Sequence, residues 1–145
     1  MKHYFSKLLN KNTNLNKLRE GGNAVNGVSR IPQKYVKPTI DMFIKNVLDN
    51  LDYDEWAIIG STGKKPEGNG DIDLGVQTFW SIDELSKGLT DLGLECSSNK
   101  GLGEVSCKFP QFDENSQEIP DTYVQVDLII GAILVKVYVL CRGSF

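Results

Sequence analysis

Three aspartates and a Gly-Ser pair are the residues of this chain best suited to do chemistry. Asp71 and Asp73 open the apolar run Asp71-Ile72-Asp73-Leu74. Asp127 lies inside another, Val124-Gln125-Val126-Asp127-Leu128-Ile129-Ile130. A buried carboxylate is costly unless something compensates its charge, and a divalent metal can do so. Successive strand side chains point to opposite faces. Asp71 and Asp73 therefore share one face of an expected strand, with Ile72, Leu74 and Val76 on the other. The same alternation puts Asp127 on a face with Tyr123 and Gln125, opposite Val124, Val126 and Leu128. If the two strands are neighbours, the carboxylates converge. Two metal ions between such carboxylates can clamp the attacking and leaving oxygens of a phosphoryl or nucleotidyl transfer. Upstream, Gly60-Ser61 closes the short run Trp56-Ala57-Ile58-Ile59. A glycine after a strand either makes a turn or lets backbone N–H groups face an anion.

Gly60-Ser61 after an apolar run, a loop over 62–70, Asp71-Ile72-Asp73 and a third aspartate on a later strand together resemble the nucleotidyltransferase superfamily that includes DNA polymerase beta. The stretches Gly60-Ser61-Thr62-Gly63-Lys64-Lys65 and Gly70-Asp71-Ile72-Asp73-Leu74 are also similar to nucleotidyltransferase-like proteins carried by tailed phages. The likeness spans Thr39 to Ile130. It implies a nucleoside triphosphate as substrate, with Gly60 and Ser61 contacting its phosphates. It further implies two magnesium ions, or manganese in their place, held by Asp71, Asp73 and Asp127. Asp127 would hold the catalytic ion and is the candidate base for the attacking hydroxyl. A cytoplasmic enzyme is implied, in the host cytoplasm if phage-encoded. Lys64 and Lys65 admit two readings: they neutralise triphosphate charge, or they are loop lysines in water.

Other nucleotide and metal motifs are excluded. Gly63-Lys64-Lys65 is not a P-loop, because Ile58 stands where that motif needs glycine and Lys65 where it needs Ser or Thr. Asn69 to Trp80 is not an EF-hand loop, since Leu74 and Trp80 occupy the required Gly and Glu positions. His3 is the only histidine, which favours magnesium or manganese over zinc.

The elements that position these residues follow from periodicity. Pro32 and Pro38 are expected to keep the segment between them from joining one long helix. Thr39 then reads as a helix cap. Ile40, Phe43, Ile44, Val47, Leu48 and Leu51 form an apolar stripe of a helix ending near 50–53. Trp56–Ile59 is expected to be a buried strand, and Asp71–Thr78 a second one. Ser81 and Glu84 form a capping box, opening a helix with Leu85, Leu89 and Leu92 that stops at Gly93. Residues 96–103 read as a loop, Glu104–Phe109 as a strand ended by Pro110, and Gln111–Asp121 as an acidic surface loop. Tyr123–Ile130 reads as a strand and Ile133–Cys141 as another; a short helix is expected over 3–9. This order is that of a small α/β (α+β) domain with helices packed on a mixed sheet.

At 145 residues the chain is expected to be one domain. Residues 1–38 read as a basic, loop-rich arm and 39–145 as the catalytic domain. Residues 1–45 carry nine Lys/Arg and two Asp/Glu, while 46–145 carry seven and seventeen. A basic arm of this kind is either a solvated leader or a contact for a nucleic acid acceptor. Arg19, Arg30, Lys34 and Lys37 are candidates for that contact or ordinary surface charge. Tyr35, Trp56 and Trp80 are candidates for base stacking, with Trp56 better suited to the core. Nothing in the chain has the length of an apolar membrane span or a secretory signal. Three cysteines, Cys96, Cys107 and Cys141, without a Cys-x-x-Cys pair argue against a disulfide framework and for a reduced cytosolic setting. Eighteen residues follow Asp127, where the resembling family continues into further elements. The expectation is therefore a domain truncated at its C-terminus. The alternative to an active enzyme is a non-catalytic or truncated domain that binds a nucleotide or a partner.

Overall fold

The computed structural model describes residues 24–131. Two helices, α1 (Gln33–Asn46) and α2 (Ile82–Asp91), pack on a sheet of five strands. The strands are β1 (Glu55–Ile58), β2 (Asp71–Gln77), β3 (Cys96–Asn99), β4 (Glu104–Phe112) and β5 (Glu118–Ile130). Their order across the sheet is β1-β2-β5-β4-β3. The β2–β5 pair is parallel and the other pairs are antiparallel. This is an α+β fold with a mixed sheet.

The core lies on one face of that sheet. Ile72, Leu74 and Val76 of β2 and Val124, Val126 and Leu128 of β5 are buried there with Val105, Cys107 and Phe109 of β4. Val36, Ile40 and Phe43 of α1 and Leu85 and Leu89 of α2 join the same cluster. Phe43 meets Phe109 edge-to-face, with centroids 5.0 Å apart. By alternation the polar side chains of β2 and β5 face away from the helices.

Helix α2 matches its sequence signals. Ser81 Oγ accepts from the Glu84 N–H at 3.1 Å, and the Ser81 N–H donates to Glu84 Oε1 at 2.9 Å. Gly93, at φ +92°, supplies the left-handed residue of the stop. The N–H groups of Gly93 and Leu94 bond back to the carbonyls of Thr90 and Leu89.

Several expectations are corrected. Helix α1 begins at Gln33, not Thr39, and runs through Pro38. Pro38 removes only the bond to the Lys34 carbonyl, and Lys34 is solvent-exposed. Thr39 is no cap; it is buried, and its hydroxyl accepts from the Phe112 N–H at 2.9 Å. The helix ends at Asn46, followed by a 3-10 turn over Leu48–Asn50. Strand β1 is an edge strand, not a buried one, with Ile58 37% exposed. Pro110 does not end β4, because the register shifts between Pro110 and Phe112, and a bulge tolerates the missing donor. The expected loop over 111–121 is instead the end of β4, a turn and the start of β5, with Phe112 opposite Glu118. Residues 96–99 pair as an edge strand, although Cys-Ser-Ser-Asn has little strand propensity to announce it.

Among the described residues no helix is long and apolar enough to cross a membrane. The expected helix over 3–9, the strand over 133–141, Arg19 and Cys141 lie outside the described residues.

Candidate metal centre

The parallel register of β2 and β5 assembles the acidic residues. Asp73 stands opposite Asp127, and Asp71 opposite Gln125. One carboxylate oxygen from each of Asp71, Asp73 and Asp127 lies within 4.8 Å of the others. Asp127 is buried, and Asp71 and Asp73 are half-buried. At 4.8 Å two unit negative charges repel by about 3.5 kcal/mol at an effective dielectric constant of about 20.

A cation reverses that balance. Magnesium–oxygen distances of about 2.0–2.1 Å put oxygens on opposite sides of one ion about 4 Å apart. A spread of at most 4.8 Å suits carboxylates closing on one ion, or two ions about 3.5–4 Å apart. The donors are all hard oxygens, the set preferred by magnesium, manganese and calcium. The cluster is therefore able to hold a metal ion.

Two side chains outside the acidic triad fix Asp127. Ser106 Oγ on β4 donates to Asp127 Oδ1 at 2.6 Å, and Gln125 Nε2 donates to the same oxygen at 2.9 Å. Ser106, Gln125 and Asp127 are 2%, 3% and 5% exposed, so little water competes. Gln125 is held in turn, its Oε1 accepting from the Ala24 and Val25 N–H groups at 3.0 and 3.3 Å. That chain of bonds ties the segment before α1 to the acidic cluster.

The Gly-Ser turn abuts the same cluster. Gly60 takes φ +68°, and a Cβ there would lie 3.4 Å from Asp73 Oδ2. A glycine thus serves both the turn and the close approach. The Ile59 N–H donates to the Asp73 carbonyl at 3.1 Å, and the Asp73 N–H donates to Thr62 Oγ1 at 2.9 Å. Buried Asn69 braces the loop from within. Its Oδ1 accepts from the Gly63 N–H at 2.9 Å, and its Nδ2 donates to the Ser61 carbonyl at 3.3 Å. From outside, the Arg30 guanidinium donates to the carbonyls of Glu67 and Gly68, and Gln33 Nε2 to that of Gly63. Gly68 has no room for a side chain, since a Cβ would collide with the Ile31 carbonyl.

Ser61, Lys64 and Lys65 are exposed on this loop. No salt bridge engages either lysine among the described residues. Arg30 is occupied by the loop carbonyls and Lys37 by Asp41 at 3.0 Å. Trp56 and Trp80 are partly buried and pack against the core, as does Tyr35.

The sequence reading missed Thr62, Asn69, Ser106 and Gln125 as parts of the site. Gln125 had a visible signal, because a polar residue two positions before Asp127 in an apolar run shares its face. Ser106 had none without the β4–β5 register. A comparison with protein-family models and with curated proteins finds no match to this chain.

Proposed function

We propose that the chain is a metal-dependent nucleotidyltransferase, transferring a nucleoside monophosphate from a nucleoside triphosphate to an acceptor hydroxyl with release of pyrophosphate. The observation that carries this reading is the Asp73–Asp127 register, which gathers three carboxylates within 4.8 Å beside the Gly60-Ser61 turn. The likeness to the polymerase beta superfamily belongs to the same proposal. Asp71, Asp73 and Asp127 would hold magnesium or manganese, which when bound neutralises phosphate charge and lowers the pKa of a coordinated hydroxyl.

The chain's own residues supply positioning. Gly60 keeps the space beside Asp73 open, so a phosphate can approach the carboxylates without meeting a side chain. Thr62 and Asn69 hold the loop in shape before any ligand arrives, which lowers the ordering cost of binding. Exposed Lys64 and Lys65 offer charge to the triphosphate. Ser106 and Gln125 hold Asp127 in its orientation by donating to one of its oxygens. Asp127 would accept the proton of an attacking hydroxyl. The basic balance of residues 1–45 supports a polyanionic acceptor such as a nucleic acid.

Calorimetric titration of each nucleoside triphosphate, with and without magnesium, tests the proposal. The expected result is binding that requires magnesium and that Asp71→Ala abolishes in a folded protein. Binding of no triphosphate in magnesium or manganese would refute it.

A further inference from the structure

Two cysteines lie on the core face of the sheet, opposite the face that carries the acidic cluster, and the proposed reaction uses neither. Cys96 of β3 stands directly opposite Cys107 of β4. Cys96 is half-buried, Cys107 is buried, and both are free thiols. The Lys108 N–H bonds to the Glu95 carbonyl at 3.0 Å, which marks the neighbouring Glu95–Lys108 position as hydrogen-bonded. Pairs alternate along an antiparallel ladder, so Cys96–Cys107 is a non-hydrogen-bonded pair. Such pairs have Cα atoms about 4.5 Å apart and side chains at their closest. That separation lies within the span a disulfide bridges, about 4.4–6.8 Å.

We infer that Cys96 and Cys107 form a reversible dithiol–disulfide site, oxidised by a low-molecular-weight disulfide such as glutathione disulfide, that staples edge strand β3 to β4.

The two thiols have different surroundings, and these assign the order of events. The Cys107 thiol beside Cys96, helped by Thr90 against burial and Glu95, holds the Cys96 pKa below the usual thiol value. The Cys96 neighbour and complete burial hold the Cys107 thiol well above it. Cys96 is therefore the attacking group, since the thiolate is the nucleophile. Its sulfur attacks one sulfur of glutathione disulfide, and one glutathione leaves as thiolate. Cys107 then loses its proton and attacks the Cys96 sulfur of the mixed disulfide, and the second glutathione leaves. The protein gives up two electrons and two protons, and one glutathione disulfide becomes two glutathione thiols. The second step is the slower, because Cys107 is buried and retains its proton.

The bridge has a structural consequence. Strand β3 has four residues and pairs only with β4, so its hold on the sheet is slight. A bridge between its first residue and Cys107 would restrain the β3–β4 hairpin in the unfolded chain as well as the folded one. Its expected signature is a rise in the melting temperature on oxidation that dithiothreitol reverses.

The test uses the full chain carrying Cys141→Ser, which removes the third thiol. The folded protein is equilibrated in buffers of increasing glutathione disulfide, acid-quenched, alkylated and peptide-mapped. The expected product is a Cys96–Cys107 bridge that dithiothreitol reverses. A Cys107→Ser variant should stop at the glutathione adduct on Cys96. The map of the Cys141→Ser protein decides the matter even if Cys107→Ser fails to fold. Two thiols persisting in excess glutathione disulfide, a glutathione adduct that never resolves, or a bridge that forms only in denaturant would each overturn the inference.

Discussion

Replacing Ser106 with alanine should weaken metal binding although Ser106 is no metal ligand. Its hydroxyl donates to Asp127 Oδ1 at 2.6 Å in a buried setting, the distance of a strong O–H···O⁻ bond. A hydrogen bond to a charged group contributes about 1.5–3 kcal/mol. Gln125 Nε2 remains on the same oxygen at 2.9 Å, so the carboxylate is not stripped and the cost should fall near 2 kcal/mol. At about 2–4 °C per kcal/mol for a domain of this size, the metal-free protein should melt about 4–8 °C lower. Lost support behind a ligand typically costs about 10–100-fold in metal affinity, and the surviving Gln125 bond argues for the lower end. Differential scanning fluorimetry without metal and manganese titration by calorimetry read the two effects. The mutation should be made again in an Asp127→Ala background, where Ser106 has lost its acceptor and its removal should cost little. An equal melting shift in both backgrounds, or unchanged manganese affinity in Ser106→Ala, would refute the claim that Ser106 acts through Asp127.

Other expectations follow from the same geometry. Asp73→Asn relieves repulsion within the triad, so its metal-free form should melt a few degrees higher than wild type and gain nothing from manganese; thermal scans with and without the ion show both. Gln125→Leu removes one donor from Asp127 and the acceptor of the Ala24 and Val25 N–H groups. It should cost about 3 kcal/mol in chemical denaturation, more than Ser106→Ala, because Asp127 loses a donor and the buried Val25 N–H is left unsatisfied. Gly60→Val places a branched side chain at φ +68° beside Asp73 and should abolish triphosphate binding while manganese alone still binds. The lowered Cys96 pKa means its thiolate is populated at lower pH than an ordinary thiol. Iodoacetamide should therefore modify Cys96 with a pH midpoint below that of free cysteine and leave buried Cys107 unmodified until the protein unfolds.

The acidic residues were legible in the sequence because strand alternation is a local rule. Asp71, Asp73 and Asp127 could be assigned to faces from their immediate neighbours, and the capping box of α2 is equally local. That the two strands pair in parallel, with Asp73 opposite Asp127, depends on a crossover through α2, β3 and β4 that no short pattern encodes. Ser106 was hidden for the same reason. Pro38 and Pro110 misled because a proline's cost depends on what its missing N–H would have met. At Pro38 that is the carbonyl of an exposed lysine, and at Pro110 it is a bulge. Strand β3 was missed because its neighbour, not its composition, makes it a strand.

The most direct test of the central claim is manganese binding followed by electron paramagnetic resonance, on the full chain and on Asp73→Asn, each with and without a non-hydrolysable nucleoside triphosphate. Metal binding by the three carboxylates predicts manganese bound by the wild-type chain, more tightly and with a second ion when the triphosphate is present, and binding lost in Asp73→Asn. No manganese uptake by the folded wild-type chain, or equal uptake by Asp73→Asn, would contradict it.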